Sequence, residues 1–288
     1  MKGTLLDIDN LRLTVETHDG PRDILRGVTL SVARGETVGL VGESGCGKST
    51  TARAALQLLP KRAHTTGRIT VCGTDVTGED GTDAAQVHDV RAHRAGMIFQ
   101  DPRSALNPVR RIGDSATERL RLVHGLPAAQ ARDRIVALFT EVGLRDPDRL
   151  LRCYPHQLSG GMLQRVVIAA ALSTGPELLL ADEATSALDV TTQAEVLAVL
   201  RRLRRERELG VLFITHDLLL AAAYCDRVYV MQDGHVVDEQ PAASLFDDPQ
   251  HPYTRHLAEA TPRLPERNTP ERHSPVPAST QPIKGARR

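Results

Sequence analysis

The run Gly42-Glu43-Ser44-Gly45-Cys46-Gly47-Lys48-Ser49-Thr50 carries the spacing G-x-x-x-x-G-K-[ST]. Glycines so spaced let a loop wrap until its backbone N–H groups converge on phosphate oxygens, and the positive end of a following helix adds to the attraction. In that chemistry Lys48 reaches the β- and γ-phosphates and the Ser49 hydroxyl ligates Mg²⁺. A glycine-rich turn without a ligand is the plainer alternative. The apolar run Thr37 to Val41 before the loop and the helical pattern after it supply the context that phosphate binding needs.

Leu178-Leu179-Leu180-Ala181-Asp182-Glu183 is an apolar run ending in adjacent carboxylates. Asp182 suits a metal held directly or through water, and Glu183, one residue on, suits a general base that polarises an attacking water. Such an ending is commonly structural when it stands alone. His216 follows the apolar run Val211 to Thr215, at the carboxyl edge where ligands gather in α/β sheets, so a γ-phosphate contact is expected of it. Gln100 follows Gly96-Met97-Ile98-Phe99 and by itself carries no signal.

Leu158-Ser159-Gly160-Gly161-Met162-Leu163-Gln164-Arg165 leads into a helical run from Val166 to Leu172. A serine and two glycines at a helix start make a second anion site. One nucleotide does not need both. Two such chains paired head to tail, each offering this helix end to the other's nucleotide, would use both.

The elements that must hold these residues read as an interrupted α/β core. Short alternating runs between Leu5 and Val41 predict antiparallel strands feeding a buried strand at Thr37 to Val41, and a helix is expected from Ser49 to Leu59, stopped by Pro60. Gly67 to Gly73 and Gly96 to Phe99 read as strands, and the stretch from about Asp101 to Gly161 is helical in period. Within it, Ile135, Leu138, Phe139 and Val142 fall on one face. Leu178 to Asp182 and Val211 to Thr215 read as parallel core strands, and Val228 to Met231 with His235 to Glu239 as a closing hairpin. The basic run Arg201, Arg202, Arg204, Arg205, Arg207 reads as a solvated helix face opposite Val196, Leu200 and Leu203. His251 and His256 look incidental.

Composition narrows the class. The chain has 288 residues, 41% hydrophobic and 25% charged, with formal net charge +0, so no global field steers it to nucleic acid or anionic lipid. Aromatics are 3% with no Trp, which leaves little for stacking on bases. Cys46, Cys72, Cys153 and Cys225 form no CxxC pair, pointing to a reducing compartment rather than a disulfide framework or zinc site. The start, MKGTLLDIDN, lacks the apolar run of a signal peptide. No window approaches the roughly 20 apolar residues of a membrane span, so any spans are expected on other chains.

Taken in order, the glycine-rich loop, Gln100, Leu158 to Gly161, Asp182-Glu183, Ser186-Ala187-Leu188-Asp189 and His216 resemble the ABC transporter ATPase family. That resemblance implies a P-loop NTPase core, a RecA-like mixed sheet with an antiparallel β-subdomain, interrupted by a helical subdomain. It implies ATP and Mg²⁺ as ligands, with Gly42 through Thr50 on the nucleotide and Ser49, Gln100 and Asp182 on the metal. Glu183 would be the base, His216 the switch histidine, and Gln100 and Lys48 the γ-phosphate contacts. Ser159, Gly160 and Gly161 would touch the nucleotide of a paired subunit, with Asp189 across the dimer interface.

Gln100-Asp101-Pro102 through Leu106-Asn107-Pro108, and Phe246 through His251-Pro252-Tyr253-Thr254, are similar to segments of the oligopeptide/dipeptide/nickel importer subfamily. Taken without family context, both are turn-rich surface. The resemblance implies the ATP-hydrolysing subunit of an importer for di- or oligopeptides or related solutes such as nickel complexes. Its partners would be a second ABC ATPase, more a homologue than a copy, two transmembrane permease subunits and, indirectly, an extracytoplasmic solute-binding protein; no nucleic acid is expected. It would sit peripherally on the cytoplasmic face of the cell membrane. A soluble ABC ATPase accessory to a phosphonate-degrading complex is the alternative.

The implied organisation is 1–100 for the first part of the core, 101–165 for the helical subdomain ending at the signature, and 166–240 for the second part. Residues 241–264 form the C-terminal extension, and 265–288 are expected to be a disordered tail rich in Pro, Arg, Ser and Thr. Family members usually stack an aromatic on adenine near the end of the second strand. Here Val15 stands there with only His18 nearby, so weaker stacking is expected. No cysteine follows Cys225, so no iron–sulfur cluster is expected, and Ala184 replaces the usual proline after the acidic pair. Cys46, beside Lys48 and a helix start, has the surroundings of a low-pKa thiol, against the plainer reading of a small residue filling its slot.

Overall fold

The computed structural model describes residues 3–77, 83–186 and 188–262; the expected tail and Ala187 lie outside them. The strands β1 (Thr4–Thr17), β2 (Gly20–Ala33) and β3 (Thr37–Val41) come first, then helix α1 (Lys48–Ala55), β4 (Ala63–Val71) and β5 (Thr74–Asp75). Next are α2 (Ala84–Asp89), a π-helical turn (Val90–Arg94) and β6 (Ala95–Ile98). A helical stretch follows with α3 (Ile112–Leu122), α4 (Ala128–Glu141), α5 (Pro147–Leu150) and α6 (Gly160–Leu172). Then come β7 (Leu178–Asp182), α7 (Val190–Arg207), β8 (Gly210–Ile214), α8 (Leu218–Tyr224), β9 (Arg227–Gln232), β10 (His235–Pro241) and α9 (Pro252–Ala260).

Two sheets result. One is antiparallel in the order β2-β1-β4-β5 and the other runs β10-β9-β3-β8-β7-β6, parallel except for the β9–β10 pair. β3, β7 and β8 are buried along their whole length, as continuous apolar runs must be when both sheet faces are covered. Alternate residues of each strand enter opposite cores. Val41, Leu179, Ala181, Val211 and Phe213 join the helical side, while Leu40, Leu178, Leu180, Leu212 and Ile214 join the antiparallel sheet and α1.

Leu6/Ile8 and Leu11/Leu13 alternate out of phase, and the structure joins them in one strand where the sequence reads as two runs. The pairing register shifts between Ile8 and Leu11, and Asn10 takes a left-handed φ of 48°, so one extra residue returns the apolar side to the core. α1 also differs: it ends at Ala55, not Leu59. Gln57 turns left-handed (φ 53°), its N–H bonding Ala54 O at 2.9 Å and that of Leu58 bonding Arg53 O at 2.8 Å, which closes the helix before Pro60 can. α6 runs unbroken from Gly160 to Leu172, across the boundary expected at 165.

The arginine run of α7 is a solvated face only in part: Arg201, Arg202 and Arg205 are exposed, while Arg204 and Arg207 are half-buried. Arg201 donates to Ala223 O and lies 5.3 Å over the Tyr224 ring, Arg204 pairs with Asp226, and Arg207 meets both Glu141 oxygens at 2.7 Å. These guanidiniums tie α7 to α8 and to the end of α4. They are not what holds the helical stretch. Ile135, Leu138 and Phe139 of α4 are buried, each contributing about 1.5–3 kcal/mol, against about 0–1 kcal/mol for a part-exposed ion pair. His251 is likewise not incidental, since its Nδ1 accepts the Tyr253 N–H at 3.2 Å and caps α9.

Candidate functional site

Parallel pairing sets the site's geometry. Ile98 is level with Ala181, and Asp182 with Ile214, so the residues just past β6, β7 and β8 emerge at one sheet edge. There Gln100 Nε2 donates to Glu183 Oε2 at 2.8 Å, and His216 Nδ1 lies 3.3 Å from Glu183 Oε1. One carboxylate is thus held from two sides. Its side chain is 16% exposed, leaving a path for water. Glu183 has a left-handed φ of 46°, fixed by its own N–H on Ile214 O at 3.0 Å and by Ser186 N–H on its carbonyl at 3.1 Å.

The glycine-rich loop connects β3 to α1, with Gly47 as the cap of α1. Lys48 is buried and its Nζ donates to the carbonyls of Gly42 at 2.8 Å and Glu43 at 2.7 Å. Its third N–H faces Cys46 Sγ at 3.8 Å, a weak acceptor that an incoming oxygen can displace. Glu43, Ser44 and Gly45 are exposed, while Ser49 and Thr50 are half-buried. Burial pushes the Cys46 thiol above its ordinary value despite Lys48 nearby, which favours the plainer reading of a small packed side chain over a low-pKa thiol.

Ser49 Oγ donates to Asp182 Oδ1 at 2.7 Å, joining the loop to the end of β7. Asp182 is fully buried, and burial raises its pKa, partly offset by Ser49 and Arg53. Its Oδ2 has no hydrogen-bond partner, the Arg53 guanidinium lying 3.9 Å away. A buried carboxylate oxygen left open beside a serine hydroxyl suits a hard cation completed by amide oxygen and water. No group of three His, Cys, Asp or Glu side chains with metal-ligand placement occurs among the described residues.

Ser159, Gly160 and Gly161 stand apart from this cluster, with no hydrogen bond to the loop among the described residues. Ser159 caps α6 by accepting the Met162 N–H at 3.3 Å, and Asp189 caps α7 by accepting Thr192 N–H at 3.0 Å and its hydroxyl at 2.7 Å. Those two donors hold the Asp189 carboxyl below its ordinary value. The signature and Asp189 meet through Thr192, a residue that no motif singles out although Asp189 followed three on by Thr192 is a capping pattern. Val15 is half-buried in β1 and His18 lies exposed in the turn after it.

A Cβ on Gly161 would lie 2.4 Å from Thr192 Cγ2, so α6 and α7 approach at a point only glycine allows. Gly161→Ala should cost about 1–3 kcal/mol, as overpacked sites do. Thr192→Ser, which deletes Cγ2 and keeps the hydroxyl on Asp189, should restore most of it. Denaturant unfolding of the single and double variants measures both; equal losses with Thr or Ser at 192 would remove this contact as the cause.

A family profile described as "ABC transporter" matches residues 25–186, and one described as "Oligopeptide/dipeptide transporter, C-terminal region" matches residues 237–287. The dipeptide transport ATP-binding protein DppD of Bacillus subtilis is 40% identical over 262 residues, 90% of this chain and 77% of its own length. The oligopeptide transport ATP-binding protein OppD of Salmonella typhimurium is 40% identical over 260 residues, again 90% of this chain and 77% of its own. A bacterial ABC transporter cassette solved as a dimer superposes with a TM-score of 0.72 at 27% identity, over 82% of this chain and 98% of that one. The same cassette has been solved in a post-hydrolysis state with ADP and Pi, with the same TM-score, identity and coverage.

Proposed function

The chain belongs to the ABC transporter family of ATP-binding subunits and is an ATPase, and from that premise we propose that it powers an importer of di- or oligopeptides or related small solutes through separate permeases. The observation that carries the catalytic reading is Glu183, held between Gln100 and His216 one residue past the carboxylate that bonds Ser49 of the loop. The likeness of residues 237–287 to the C-terminal region of oligopeptide/dipeptide transporters supports the substrate class.

The loop N–H groups and the start of α1 bind phosphate, and Lys48 reaches the γ-phosphate by exchanging its weak Cys46 contact for a phosphate oxygen. Ser49, Asp182 and Gln100 would hold Mg²⁺, which would supply neutralisation of the charge on the phosphates. Glu183 accepts the proton of the attacking water, and His216 steadies its other oxygen and reaches the γ-phosphate. Ser159, Gly160 and Gly161, at a helix start and largely exposed, serve the nucleotide of a paired subunit in a head-to-tail dimer, with Asp189 beside them. No helix among the described residues is long and apolar enough to cross a membrane, so the permeases supply the spans and this subunit works at their cytoplasmic face.

An affinity pull-down of the tagged chain from detergent-solubilised native membranes tests the assignment. Recovery of two multi-span permeases, with or without a second ATPase bearing the same signature, is the expected result. Recovery of soluble enzymes alone would leave the ATP chemistry standing and replace transport by service to a soluble complex.

A further inference from the structure

The segment Phe246 to Thr254, beyond its likeness to the transporter C-terminal region, reaches into the nucleotide site. Asp238 of β10, nearly buried, accepts the Thr254 hydroxyl at 2.6 Å and the His251 N–H at 3.2 Å through Oδ2. His251 Nδ1 accepts the Tyr253 N–H, and Pro252 opens α9. These contacts fix the first turn of α9, so Tyr253 is aimed rather than free. Its hydroxyl accepts the Glu43 N–H at 3.4 Å. Glu43 passes the contact on, because its carbonyl is one of the two that hold Lys48 Nζ.

We propose that Tyr253 is a positioning residue for nucleotide binding, its hydroxyl holding the Glu43 peptide so that the carbonyls of Gly42 and Glu43 keep Lys48 aimed into the loop. The inference rests on the phosphate-binding reading of that loop. It accounts for His251, Tyr253 and Thr254 together, since His251 and Thr254 anchor the helix start and Tyr253 delivers a hydroxyl to the Glu43 peptide N–H. Burial keeps the phenol above its ordinary pKa, so the hydroxyl stays neutral across the working range and can donate as well as accept. The other account is that α9 merely packs on the core, which would make Tyr253 a stability residue.

The two accounts separate in the full chain with Tyr253→Phe, which keeps the ring and deletes the hydroxyl. Positioning predicts that the Kd for a fluorescent ATP analogue and the KM for ATP rise roughly three- to tenfold, the worth of one hydrogen bond. kcat at saturating ATP should stay within about twofold, since the chemical groups are untouched. Thr254→Val should raise KM likewise, and the double variant should be no worse than the more affected single, because both act through one contact. Wild-type Kd and KM in Tyr253→Phe, whatever its melting temperature, would overturn the proposal. Lys48→Ala run alongside distinguishes the failures. Retained affinity there would undo the reading of the loop, whereas lost affinity there with an unaffected Tyr253→Phe would undo only the role of Tyr253.

Discussion

Glu183→Gln should bind ATP as the parent does and turn it over about 10²–10⁴-fold more slowly, the usual worth of a positioned general base. That loss corresponds to about 2.7–5.5 kcal/mol of barrier. Glutamine keeps the length of the side chain and an oxygen for Gln100 Nε2, so the contact now at 2.8 Å can persist. What it cannot do is take a proton. The backbone makes the test cleaner, since the left-handed φ of 46° is held by main-chain bonds to Ile214 and Ser186 that both side chains leave intact. Steady-state phosphate release and nucleotide affinity, measured in one buffer, check the two halves of the expectation. Unchanged turnover would remove Glu183 from the role of base and leave His216 as the remaining candidate on the same edge.

The same edge shows what a sequence can disclose. Thr37 to Val41, Leu178 to Asp182 and Val211 to Thr215 are legible as strands because they are apolar runs too short for helices, and β3, β7 and β8 match them within a residue. The types and order of Lys48, Ser49, Asp182 and Glu183 are legible for a chemical reason, because each carries a group that its proposed role requires. The bracketing of Glu183 by Gln100 and His216 is not, because it follows from the register of three strands drawn from distant parts of the chain. The early end of α1 is hidden for a local reason. Pro60 is a visible stop, but the left-handed turn at Gln57 uses a residue type with no such preference. The arginines of α7 are legible only in part, since three are exposed as a solvated face should be, yet Arg201 also reaches a carbonyl of α8 and Arg207 a carboxylate of α4.

The second large effect is expected at Gly42, where alanine should abolish measurable ATP binding. A Cβ there would sit 2.1 Å from the Met231 carbonyl oxygen and 3.1 Å from Cys46 Sγ, at a φ of 147° that L residues rarely adopt. The nearer neighbour is backbone, fixed in β9 by parallel pairing of Val41 with Val230, and no rotamer change relieves it. Overpacking usually costs about 1–3 kcal/mol, and an obstacle that cannot rotate puts this site at or above the upper end. The strain has two outlets. If the loop yields, the carbonyls that hold Lys48 move and affinity falls while the melting temperature changes little. If the β3–β9 pairing yields, the melting temperature falls as well, against a total stability of only about 5–15 kcal/mol. Gly45→Ala separates close approach from backbone conformation, because Gly45 has a φ of 86° but no atom within 4 Å of its Cβ position. It should cost only the left-handed backbone penalty of about 1–2 kcal/mol. Thermal melts and ATP titrations of both variants decide the point, and a Gly42→Ala protein no more affected than Gly45→Ala would mean that the approach to Met231 is not what glycine is there to allow.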